Sequence, residues 1–210
     1  MSTETPTLQL KNKIRFVTAT SLFDGHDASI HIMRRILQQE GAEVIHLGHN
    51  RSVNDVVETA IQEDAHGIAV SSYQGGHIEY FTYMIELLKE KGASHIKVFA
   101  GGGGVIVPEE IQLLQSRGVC KIFSPEDGQK MGLVGMIHYM LKECDKSNFE
   151  FISKLPENLS PQNAKTISRI ITTIEEESDT KALSAKEALV KSIDAKLSTA
   201  KNKPLVLGFT

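Results

Sequence analysis

Over roughly the first two thirds of the chain, short apolar runs rich in β-branched residues alternate with longer amphipathic stretches. The runs at 14–20, 43–47, 67–71, 96–100 and 119–123 are apolar nearly throughout, the pattern of strands buried on both faces of a parallel sheet. Between them, apolar positions recur at helical spacing over 28–40, 52–64, 76–91, 108–116 and 127–144. The first stretch carries Ile32, Ile36 and Leu37, and the third carries Tyr80, Met84, Leu87 and Leu88. Gly41 and Gly92 stand where those two helices should stop, and Pro108 with Glu109 and Glu110 makes a favourable first turn for the fourth. Five strand–helix units in succession predict an α/β fold: a doubly wound, five-stranded parallel sheet of flavodoxin-like, Rossmann type, because parallel strands need helical crossovers. Ligands of such sheets bind beyond the carboxyl ends of the strands.

The pattern changes near residue 145. Fifteen of the 16 glycines and all 8 histidines precede that point, so site chemistry is expected before it. The rest is rich in Ser, Thr, Lys, Glu and Ala, with no aromatic residue between Phe151 and Phe209. Residues 147–161, with Pro156 and Pro161, read as a linker. Helices are predicted at 162–177 (Ile167, Ile170, Ile171, Ile174) and 184–199 (Leu189, Ile193, Leu197), and both apolar stripes need a partner. Glu175 to Glu177 read as a solvated face. Residues 204–210 read as a buried strand with no successor. The division expected is a disordered 1–12, a domain at 13–145 and a helical linker segment at 146–210.

Charge and cysteine usage narrow the class. A balance of 23 basic and 26 acidic residues, net −3, argues against nucleic acid as a partner. No apolar run reaches the roughly 20 residues of a membrane span, and the first residues lack a signal-peptide pattern, so a cytoplasmic protein is expected. Two cysteines exclude a disulfide framework or a cysteine zinc site.

The loop after the first strand holds Asp24, Gly25, His26, Asp27 and Ser29. An imidazole with one ring nitrogen held by a carboxylate presents the other as an oriented metal ligand, and Asp24 is placed to be that carboxylate. The competing reading is a polar loop whose Asp and His serve capping and solubility. No second histidine or cysteine follows at metal-cage spacing, so other ligands to a metal on His26 would have to come with a cofactor. The loop after the third strand is Ser71-Ser72-Tyr73-Gln74-Gly75-Gly76-His77, and four glycines, Gly101 to Gly104, follow the fourth. Two tight turns would account for both clusters. Four consecutive glycines exceed the needs of one turn and favour a ligand close to backbone. Neither cluster is a phosphate loop.

Asp24-Gly25-His26, Ser71-Ser72-Tyr73 and Gly103-Gly104 together resemble the DxHxxG, SxL and GG signature of the cobalamin-binding domain in the methylmalonyl-CoA mutase superfamily. In detail, FDGHDAS, SSYQGGH and GGGGVIVPEEI are most similar to the amino-terminal domain of the fused isobutyryl-CoA mutases. The resemblance covers roughly residues 12–144. It implies base-off/His-on binding of adenosylcobalamin, with His26 on cobalt, Asp24 behind it, and Ser71, Tyr73, Gly75, Gly103, Gly104 and Phe123 around the nucleotide tail. It also implies a catalytic (β/α)8 barrel partner for acyl-CoA rearrangement, of the isobutyryl-CoA/n-butyryl-CoA or methylmalonyl-CoA type, and a GTP-binding chaperone domain after residue 210. Such a barrel takes about 250 residues, so this chain alone is expected to be inactive. The last position of DxHxxG is Ser29, the leucine of SxL is Tyr73, and the lysine that methylmalonyl-CoA mutases carry four residues before the aspartate is Thr20. Residues 162–200 are a possible homodimer contact. The competing functions are a stand-alone cobalamin sensor or carrier, a flavodoxin-like carrier suggested by the hydroxyls of 18–21, and a receiver-type signalling domain. The last would need an aspartate and a lysine where Ser71 and Ser124 stand.

Overall fold

The computed structural model describes residues 8–146, 151–176 and 180–199. Residues 1–7 of the expected disordered terminus, the start of the expected linker, Glu177 and the expected strand at 204–210 lie outside the described residues. The chain divides into two compact units, Met1–Asn148 and Phe149–Thr210.

The first unit holds β1 (Arg15–Thr20), α1 (Ala28–Gln39), β2 (Glu43–His46), α2 (Val53–Gln62), β3 (Gly67–Ser71), α3 (His77–Glu90), β4 (Lys97–Gly101), α4 (Pro108–Arg117), β5 (Lys121–Phe123) and α5 (Pro125–Asp145). All strand pairs are parallel, in the order β2-β1-β3-β4-β5. The predicted doubly wound α/β sheet is therefore the observed one. Alternate strand residues serve opposite faces. Val17, Ile68, Val70 and Val98 pack with α2, α3 and α4, while Phe16, Ala69 and Phe99 pack with α1 and α5. The Phe16 ring lies where a Cβ on Gly67 would be, so glycine at the start of β3 makes room for a core aromatic.

Two predicted boundaries move for identifiable reasons. Val119, expected in the fifth strand, instead finishes the end of α4: its N–H donates to Leu114 O at 3.1 Å, next to Gly118 at φ +118°. The fifth helix begins earlier than expected because Ser124 and Asp127 form a reciprocal cap. It is also interrupted: Gly132 has φ +65° and ψ 175°, so residues 125–131 and 133–145 are separate helical pieces. At its far end Asp145 accepts the backbone N–H groups of Lys11 and Asn12.

The second unit contains α6 (Ala164–Glu175) and α7 (Thr180–Thr199). Ile170 and Leu189 are buried, whereas Ile171 and Leu197 of the predicted stripes are exposed. No described helix is long and apolar enough to cross a membrane.

Candidate functional site

Strand order reverses between β1 and β3, and the crevice above that point is where doubly wound sheets bind ligands. The chain leaves β1 through the turn Ser21 to Asp24, closed by the Asp24 N–H donating to Ser21 O at 3.1 Å. The turn delivers the Asp24 carboxylate into the crevice, where its exposure is 0%. One carboxylate oxygen accepts the His26 backbone N–H at 2.9 Å and faces His26 Nδ1 at 2.8 Å. The other accepts the backbone N–H of Tyr73, in the loop after β3. A carboxylate can only accept, so this geometry puts the ring proton of a neutral His26 on Nδ1 and leaves the Nε2 lone pair free. The imidazole is 65% exposed, and the Tyr73 ring lies beside it with centroids 5.6 Å apart. The result is a largely exposed imidazole on a buried and doubly anchored support.

The other residues of the loop have distinct places. A Cβ on Gly25 would meet nothing within 4 Å. Asp27 occupies the residue before α1 without capping it and instead pairs with His31 at 3.3 Å. Ser29, in the first turn of α1, faces a cavity of about 280 Å³ between the sheet and the pair α1 and α5. Ser71, Tyr73, Gly103 and Phe123 also line it, so five of the sequence-predicted residues meet around one space. Gly75 and Gly104 lie outside it: Gly75 is open on the Cβ side, and Gly104 takes φ +96° beside Pro125.

Most of the remaining wall is apolar and comes from helices: Ile30 and Met33 of α1, then Leu133, Met136 and Met140 of α5, with Phe99 from the sheet floor. Periodicity marks such residues as core, and nothing in the sequence separates a core methionine from one facing a cavity. The glycine run is explained in part by internal packing. A Cβ on Gly102 would collide with Ser72 O, and one on Gly103 with the Tyr73 ring. Gly101 to Gly103 leave one cavity wall as bare backbone.

A further pair ties the two loops together. The buried His77 at the start of α3 meets Glu110 of α4 at 2.8 Å, and Glu110 also accepts the Val107 N–H at 3.0 Å. The Val107 N–H, then His77, hold the Glu110 carboxyl below its usual range. Among the described residues no group of three or more His, Cys, Asp or Glu is arranged to hold a metal ion. A metal on His26 would bring its other ligands with it.

The B12 binding domain family matches residues 14–132 of the chain. The fused isobutyryl-CoA mutase of Geobacillus kaustophilus is 56% identical over 188 residues, covering 88% of this chain, and that of Cupriavidus metallidurans is 57% identical over 182 residues, covering 86%. This chain spans only 17% of the length of each. The 2-hydroxyisobutanoyl-CoA mutase small subunit of Aquincola tertiaricarbonis is 38% identical over 97 residues, which are 46% of this chain and 69% of that protein. Among solved structures, a cobalamin-binding protein from Desulfitobacterium hafniense shares the fold with a TM-score of 0.52 and 20% identity, over 62% of this chain and 59% of that one. A match that takes in the Asp24 and His26 loop, the Tyr73 loop and the glycine run in one stretch places this chain in the B12 binding domain family.

Proposed function

We propose that the chain is a cobalamin-binding module of an acyl-CoA mutase, holding adenosylcobalamin base-off with His26 as the lower ligand of cobalt. The observation that carries this reading is the pairing of His26 Nδ1 with a fully buried carboxylate at 2.8 Å, which leaves Nε2 free on a largely exposed ring beside Tyr73, a residue of the apolar cavity's wall. The donor set suits cobalt in a corrin, which supplies four nitrogens of its own and needs one neutral imidazole below. The cavity suits a flat, largely apolar nucleotide base, with bare backbone at Gly101 to Gly103 on one side and methionines on another. Ser71, Tyr73, Gly103 and Phe123 would hold that tail, with Gly75 and Gly104 shaping the loops at its rim.

When bound, the cofactor supplies a cobalt–carbon bond that breaks homolytically to begin a carbon-skeleton rearrangement. The chain's own residues do the holding. Asp24 fixes the tautomer and direction of the imidazole, and the Tyr73 N–H fixes Asp24, so the ligand position is set by β1 and β3 together. Thr20 stands where a lysine would otherwise complete a relay, and here the third member is a backbone amide.

The names of the relatives support an acyl-CoA substrate of the isobutyryl-CoA/n-butyryl-CoA or methylmalonyl-CoA kind, bound in a separate catalytic barrel. The same reading gives a GTP-binding chaperone domain as second partner, a possible homodimer contact through residues 162–200, and the cytoplasm as location. Titrating hydroxocobalamin into the purified chain and following the visible spectrum tests the core of it. Wild type should show the spectral change that accompanies replacement of the cofactor's own benzimidazole by an imidazole, and His26→Ala should lose it. An unchanged spectrum and affinity in His26→Ala would rule out His26 as the axial ligand.

A further inference from the structure

Phe23 is the most exposed large apolar residue among those described, at 80%. It is also held in an unfavourable backbone conformation. Among the described residues three non-glycine residues have positive φ: Phe23 at +63°, Asn50 at +55° and Asp64 at +49°. Asn and Asp tolerate that region, because their short polar side chains bond locally; an aromatic residue does not gain in that way. Phe23 is the third residue of the Ser21 to Asp24 turn, the position such turns commonly give to glycine or asparagine when φ is positive. The turn is pinned from outside, since Asn50 Oδ1 accepts the Phe23 N–H at 2.8 Å.

A strained backbone that lifts a phenyl ring into water serves neither folding nor solubility, and strain of this kind concentrates where a ligand is held. Phe23 immediately precedes Asp24 and lies three residues from His26, so the two Cα atoms are at most about 11 Å apart by chain length alone. We infer that Phe23 is a binding residue for the corrin ring, offering an aromatic contact to the apolar macrocycle that overhangs His26, with Asn50 as its positioning residue. The inference rests on the reading of His26 given above. A corrin is much wider than the imidazole beneath it, so its underside must meet the surface around that imidazole. Phe23, with the partly exposed Leu22 beside it, is the apolar part of the turn there.

The test compares Phe23→Asn and Phe23→Tyr with wild type, by thermal melting without ligand and by titration with hydroxocobalamin and with cobinamide, which has the ring and lacks the nucleotide tail. Asparagine accepts the left-handed backbone, so Phe23→Asn should melt at or above the wild-type temperature. It should nonetheless bind both corrinoids about ten-fold more weakly. Phe23→Tyr should bind as wild type does. Wild-type affinity in Phe23→Asn, equal weakening in Phe23→Tyr, or a loss confined to cobalamin would overturn the inference. So would a Phe23→Asn that melts well below wild type, since the ring would then serve the fold. A wild-type chain with no His26-dependent spectral change would overturn both this inference and the ligation on which it rests.

Discussion

The Tyr73 ring fills the space that a Cβ on Gly103 would occupy, so the loops after β3 and β4 close on each other through a side chain on one and the absence of a side chain on the other. Gly103 also has φ +56°, where an alanine is strained for a second reason. Gly103→Ala should therefore cost about 1–3 kcal/mol in urea unfolding. It should also weaken cobalamin binding, because Tyr73 would be pushed from its place beside His26. Gly102→Ala should cost at least as much: there the obstacle is Ser72 O, and the Ser72 N–H is already engaged with Gly101 O at 2.8 Å. A Gly103→Ala chain as stable as wild type would show that Tyr73 moves aside freely.

Asp24 and His26 form one hydrogen-bonded pair but should differ sharply in what they contribute to folding. The Asp24 carboxylate is sealed from solvent and accepts two backbone N–H groups besides the ring. Asp24→Ala leaves those donors unpaired in a buried place and should destabilise by about 2–4 kcal/mol. The mostly exposed His26 ring can be removed with a change within about 0.5 kcal/mol. Paired denaturation curves of Asp24→Ala and His26→Ala test this, and similar losses in the two would mean that the imidazole is part of the fold's support.

The fold was readable because continuous apolar runs and helical stripes each admit one period, and β3 falls on the residues predicted for it. What escaped was set by contacts between loops distant in sequence. The four glycines announced close approach, yet only the fold tells that Gly102 meets Ser72 and Gly103 meets Tyr73. Phe23 carries no turn signal, since the residue that makes its conformation possible is Asn50, 27 positions away. The cavity was half legible: its loop residues were marked by motif spacing, and its helical wall reads in sequence as ordinary core.

His46, on β2, should make the fold sensitive to mild acid. Its Nδ1 bonds Thr18 Oγ1 at 2.9 Å, its ring lies tilted against that of His31 of α1 with centroids 4.8 Å apart, and its Nε2 is buried without a partner. Burial first, then Arg34 and His31, lower its pKa from the ordinary 6.5, against smaller opposing effects of a hydrogen bond with the Thr18 backbone and of Asp27. With the folded value depressed, the unfolded chain takes up the proton first as pH falls. Stability is therefore full above 6.5 and declines below it, until the folded value is passed. Melting temperature should fall between about pH 7.5 and about pH 5.5 in wild type, and fall less in His46→Gln. An identical decline in both proteins would assign the acid sensitivity to other groups.

Gly132 and Gly128 lie one turn apart in α5 and should respond to alanine in opposite directions. Gly132 breaks the helix at φ +65° and ψ 175°, and a Cβ there would touch nothing within 4 Å. The penalty for Gly132→Ala is therefore conformational and not steric, about 1–3 kcal/mol, or else residues 125–145 straighten into one continuous helix. Gly128 lies within the first helical piece with ordinary backbone, and its nearest neighbour for a Cβ is Met136 Sδ at 3.9 Å. Gly128→Ala should stabilise the free protein by about 0.5–1 kcal/mol through the unfolded chain's lost freedom. Gly128 also lines the cavity, so the added methyl narrows the space proposed for the nucleotide tail. The expected signature is a higher melting temperature joined to weaker binding of cobalamin and unchanged binding of cobinamide. If Gly128→Ala weakens both corrinoids equally, that wall of the cavity does not meet the tail.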